Sequence, residues 1–102
     1  LAEMYLTRAE GNFEAGTSTG AAPVDDINVI RQRAGLDPLS SVSRDGIRLE
    51  RQRELAFEGF RLHDFKRWQL TTGGLPWDAP ALVLPIPERE LEAYDIQQNE
   101  GY

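Results

Sequence analysis

From Leu1 to Ala15 the apolar side chains fall at 1, 4, 5 and 9 and again at 2, 6, 9 and 13, two rows that merge into one broad stripe at helical spacing. A helix with roughly half its surface buried is expected there. Gly16 suits a left-handed terminator, and the run Gly16-Thr17-Ser18-Thr19-Gly20 reads as a loop. Pro23 is placed to open a second helix reaching Ala34, with Asp25 and Asp26 in its first turn, where negative charge meets the positive end of the helix dipole. Val24, Ile27, Ile30 and Ala34 form its expected inner face. Gly35 followed by Leu36 has the form of a left-handed cap closed by an apolar contact, and Pro38 prevents continuation.

Two antiparallel helices in about 34 residues match the length of a tetratricopeptide unit, and Ala9-x-x-x-Phe13 matches one piece of that repeat's pattern. The Trp-x-x-Leu-Gly-x-x-Tyr signature is missing, so any helical hairpin satisfies the same spacing. Ser40 to Ser43 offers N-caps for a charged helix over Ile47 to Phe57. In it Glu50, Glu54 and Glu58 recur every four residues and share a stripe, where like charges repel unless cations intervene. Glu50 can reach Arg53, Arg51 can reach Glu54, and Glu58 can reach Arg61. Either this is a solvated, self-neutralising face, or it is an inward ion network that sets the angle to the next segment.

Gly59 interrupts the pattern, and a short helix over Phe60 to Trp68 follows. Phe57, Phe60, Phe65 and Trp68 are expected in the core because each has apolar neighbours at helical spacing. Thr71 to Pro80 is built from turn residues and carries one aromatic, Trp77. Ala81 to Leu84 is expected to be extended and to be kept so by Pro85-Ile86-Pro87, after which Pro87 opens a last short helix. The expected divisions are therefore 1–36, a helix pair; 43–68, a charged helix and a short one; and 69–102, loop, proline segment, short helix and tail.

Length and charge narrow the possibilities. The chain has 102 residues and a formal charge of −6. It can bury about 60–65% of its unfolded surface, enough for one core. An acidic balance with no basic stripe argues against nucleic acid. The longest apolar run, Ala81 to Leu84, is far short of the ~18–20 residues a membrane span needs. There is no Cys, so disulfides, zinc ribbons and thiol nucleophiles are excluded from these residues. The opening at Leu1 without a capping residue suggests a piece from the C-terminal part of a longer protein. His63 stands alone, without a second His or a Cys to build a metal or nucleophilic site. Most Glu side chains lie beside an Arg, which favours ionised, paired carboxylates over proton donors. Gly73-Gly74 lacks the Lys-Ser/Thr of a phosphate loop. No catalytic residue, metal ligand or cofactor site is expected.

Three stretches together resemble the C-terminal region of the SusD/RagB family. They are Leu1 to Glu10 with Ile27 to Leu36; Glu50-Arg51-Gln52-Arg53-Glu54-Leu55-Ala56-Phe57-Glu58-Gly59-Phe60-Arg61 running into Asp64-Phe65-Lys66-Arg67-Trp68; and Leu84-Pro85-Ile86-Pro87-Glu88-Arg89-Glu90-Leu91 with Gln98-Asn99-Glu100-Gly101-Tyr102. Their order matches the family. Two positions depart from its pattern: Tyr94-Asp95 replaces the usual Asn-Pro before the tail, and Glu100 replaces a Pro near the end.

The resemblance implies a mainly α fold: a tetratricopeptide-like helical hairpin plus further helices and long loops. It also implies a non-catalytic role in which an outer-membrane lipoprotein captures an oligosaccharide at the cell surface and delivers it to a SusC-like TonB-dependent transporter. The lipid anchor would lie outside these residues. Sugar recognition needs flat aromatic faces beside polar groups in a partly wet site, and Trp77 is the one loop aromatic that offers this; the alternative is that it fills a gap between helices. Two competing functions are a tetratricopeptide-type protein-interaction scaffold without sugar binding and a glycoside hydrolase fragment.

Overall fold

The computed structural model describes all 102 residues, and they fall into two units, Leu1–Gly59 and Phe60–Tyr102. The structure is mainly helical, as expected.

In the first unit α1 spans Ala2–Ala15, α2 Pro23–Arg33 and α3 Arg44–Glu54. Gly16 and Gly35 are both left-handed, and each is followed by a residue whose N–H returns to the helix: Thr17 to the Asn12 carbonyl at 2.9 Å, Leu36 to that of Arg31 at 2.8 Å. These are the two caps the sequence predicts. Pro23 opens α2 as expected, and Ser43 caps α3, its hydroxyl accepting from the Gly46 N–H at 3.0 Å.

The side-chain pairs define direction. Asn12, near the end of α1, reaches the backbone just before α2, so the two helices run antiparallel. Arg44 at the start of α3 meets Glu14 at the end of α1, and Arg51 near the end of α3 meets Thr7. Both α2 and α3 thus run opposite to α1, which packs against each of them. Leu6, Ala9, Ile27, Ile30 and Ile47 are its buried core. Each large side chain here contributes about 1.5–3 kcal/mol by leaving water. On the expected inner face of α2, Ile27 and Ile30 are buried, Val24 is half-buried and Ala34 is exposed.

The connector from α2 to α3 climbs back along α2. Arg31 Nε donates to the Asp37 carbonyl at 2.9 Å, and the Asn28 side chain both donates to the Leu39 carbonyl at 2.8 Å and accepts from its N–H at 2.7 Å.

Two expectations are corrected here. The charged helix starts at Arg44 rather than Ile47 and stops at Glu54 rather than Phe57. Phe57 adopts a left-handed φ of 64° and stands fully in solvent, so it is not a core residue. Once Leu55 is buried, the chain leaves the helical path, and the periodicity beyond it no longer reports a helix.

In the second unit α4 spans Arg61–Arg67 and α5 spans Glu88–Ala93. Trp68 is buried and its ring lies 6.2 Å from that of Phe65, while Phe60 and Phe65 are half-buried. Gln69, with φ of 58°, ends α4 in the left-handed region. Gly73 and Gly74, with φ of 57° and 80°, form the tip of a minimal hairpin in which Thr72 and Leu75 exchange two backbone bonds of 2.9 Å. Two successive positive φ values at a tight turn favour glycine strongly. Pro80–Leu82 forms a 3-10 turn, so the apolar run expected to be extended is so only from Val83 onward.

Candidate functional site

The acidic stripe of α3 is paired across helices, not along its own. Glu50, with its side chain 9% exposed, lies 3.4 Å from Arg31 of α2, and Glu54 pairs with Arg33 of the same helix. Arg51 is buried, its guanidinium 3.4 Å from the Thr7 hydroxyl and 3.9 Å from Glu3 of α1. Arg53 and Glu58 are exposed, and Arg61 lies over the Phe65 ring at 5.2 Å. Spacing alone suggested Glu50–Arg53 and Arg51–Glu54 pairs. Arg31 and Arg33 of α2 neutralise the two carboxylates, and Glu3 of α1, with the Thr7 hydroxyl, meets the buried Arg51 guanidinium, because a charge removed from water needs an opposite partner.

Other polar groups that hold this unit were not anticipated from spacing. Asp26 is buried and is gripped by Arg8, whose Nε donates to Oδ2 at 2.8 Å and Nη2 to Oδ1 at 2.6 Å. The hydrogen bond to Asp26 raises the Arg8 pKa above its ordinary value. A side chain at Gly20 would sit 2.7 Å from Arg8 Nη1, so the loop passes close beside this pair only because that position lacks one. Asn12 is a second node: its amide donates to the carbonyls of Thr19 and Ala21 and accepts from the Thr17 hydroxyl and the Thr19 N–H. At the surface Arg44 donates twice to Glu14, at 2.6 and 2.7 Å, which holds the Glu14 carboxyl below its usual range and raises Arg44.

Trp77 lies in the second unit, in a turn closed by the Ala79 N–H donating to the Pro76 carbonyl at 3.0 Å. It is 39% exposed. Directly after it the 3-10 turn leads into Val83 to Ile86, and the C-terminal tail closes on that stretch. The Gln98 side chain accepts from the Ile86 N–H at 2.8 Å and donates to the Ile86 carbonyl at 2.9 Å. Asn99 donates to the Leu84 carbonyl and the Tyr102 hydroxyl to that of Val83, both at 2.8 Å. The tail, which carries no periodicity, thus does by side-chain amides what a neighbouring strand does by its backbone. The signals for it were the amide residues near the end of a proline-punctuated chain and the place of Gln98 to Tyr102 in the third recognisable block.

His63 is exposed on α4, and no group of three or more His, Cys, Asp or Glu side chains is placed to hold a metal ion. No helix is long and apolar enough to cross a membrane. The first unit offers helices tied by ion pairs and an exposed Phe57; the second offers the Trp77 indole at a hydrogen-bonded turn, with Tyr94 and Tyr102 also exposed.

Comparison with known proteins bears on the three blocks. The family model described as the SusD family matches residues 1–102. The chain is also similar to the starch-binding protein SusD of Bacteroides thetaiotaomicron, at 34% identity over 118 aligned residues. That alignment takes in 100% of this chain and 20% of the relative, so the chain spans about a fifth of the relative's length.

Proposed function

The chain belongs to the SusD family, and from that premise we propose that it is part of a non-catalytic glycan-binding protein that captures a starch-like α-glucan. The observation that supports this most is the match across every residue of the chain, together with a relative named for binding starch. In this reading the Arg–carboxylate pairs of the first unit make the frame, and Trp77 is the aromatic that this stretch presents to a sugar ring. Delivery of the captured oligosaccharide to a SusC-like TonB-dependent transporter, and display on the outer membrane through a lipid, complete the proposal. The divisions 1–36, 43–68 and 69–102 are its proposed modules.

The protein-interaction scaffold is less well supported. In a tetratricopeptide array each helix runs opposite to its predecessor, whereas here α3 runs in the same direction as α2.

The test uses the full-length protein with maltoheptaose and soluble starch. Binding is expected in the micromolar-to-millimolar range, about −8 to −4 kcal/mol, with no new reducing ends after prolonged incubation. Sugar release would overturn the non-catalytic reading, and absence of binding would overturn the α-glucan assignment.

A further inference from the structure

We propose that the C-terminal tail is a strap that holds Trp77 in its binding posture, with Gln98 and Tyr102 as positioning residues; this rests on the reading of Trp77 as a glycan contact. The argument starts from the sequence after Trp77. Pro85 and Pro87 have no N–H, so the segment Val83 to Ile86 cannot pair as an ordinary central strand, and its carbonyls are open to donors other than a neighbouring backbone. Gln98, Asn99 and Tyr102 supply donors to the carbonyls of Ile86, Leu84 and Val83. At Gly101 a Cβ would lie 3.4 Å from the Cβ of Pro80, so the tail backbone also lies against the first residue of the 3-10 turn.

From this strapped segment a relay of backbone bonds runs back to the tryptophan. The Val83 N–H donates to the Pro80 carbonyl at 3.0 Å, Leu82 to Ala79 at 2.9 Å, and Ala79 to Pro76 at 3.0 Å. On its other side the Trp77 turn is fixed by the Thr72–Leu75 hairpin. The indole is therefore carried by a turn pinned at both ends, and one of the pins consists of side chains from the last five residues. Release of that pin lets the turn sample other shapes, and a ligand must then restore the bound one at its own cost in affinity.

The test is a cycle in the full-length protein with maltoheptaose as the probe. Trp77→Ala is expected to weaken binding about tenfold. Gln98→Leu, and separately Tyr102→Phe, which removes one hydroxyl and leaves the fold intact, are expected to weaken it about threefold and to add nothing in the Trp77→Ala background. In protein labelled with 5-fluorotryptophan, the ligand-free 19F signal of Trp77, assigned by its loss in Trp77→Phe, is expected to shift and broaden in both tail variants. An unchanged signal, or a loss that persists in the Trp77→Ala background, overturns the strap and leaves Trp77 as a glycan contact. Unchanged binding by Trp77→Ala removes that contact, and the strap's role with it.

Discussion

Arg8 and Asp26 are unequal partners. The Asp26 side chain is 1% exposed and the Arg8 side chain 43%, so removal of one leaves a very different residue behind. Arg8→Ala strands a carboxylate in the interior, where an uncompensated charge is severely disfavoured. Asp26→Ala leaves a guanidinium that water can solvate. Arg8→Ala is therefore expected to lower the thermal midpoint more than Asp26→Ala, even though Arg8 is the more exposed residue; calorimetry on both variants decides, and the reverse order would refute the buried-carboxylate account. Glu14 gives a pH prediction. Its carboxyl lies below the ordinary value of 4.5 because Arg44 donates to it. The pair's stabilisation is complete above that value and fades as pH falls through the lowered folded value. Denaturant midpoints measured downward from neutral pH should decline less steeply below 4.5 in Glu14→Gln than in the native protein.

At the scale of elements, the facing ends of α1 and α2 and the end of α2 were readable, while the bounds of α3 and the helix partners were not. Gly16, Pro23 and Gly35-Leu36 mark boundaries by local steric and hydrogen-bond rules, and the chain obeys them where they stand. The same local logic makes Ser43 testable: Ser43→Ala removes the acceptor for the Gly46 N–H and should destabilise the protein by about 1 kcal/mol, measured by urea unfolding; no change would mean that water replaces the cap. The acidic stripe shows where local reading stops. Repulsion and attraction at three- and four-residue spacing are small, so a cation brought in from another helix outcompetes them, and Arg31 and Arg33 arrive from about 20 residues away. Phe57 misled for the opposite reason. Its spacing continues the helical period, but its backbone has already turned left-handed.

For the molecule as a whole, the recognisable blocks are mostly the parts that brace the structure. Arg31, Glu50, Arg51, Gln98 and Tyr102 all hold backbone or helices in place. This is why the family was legible from residue order, whereas for ligand contact the sequence offered one proposed residue, the loop tryptophan Trp77. Sugar contacts require no fixed spacing in sequence, whereas a brace requires particular donors opposite particular acceptors.

The central position of α1 has a consequence for biogenesis. It carries faces for two flanking helices and is translated before either. The second flank ends only at Glu54, so α1, whose Leu6 and Ala9 are buried in the finished fold, lacks that packing partner until some forty more residues have followed. Any delay in the arrival of the connector prolongs that state and leaves the unpartnered face of α1 for a holding chaperone to grasp.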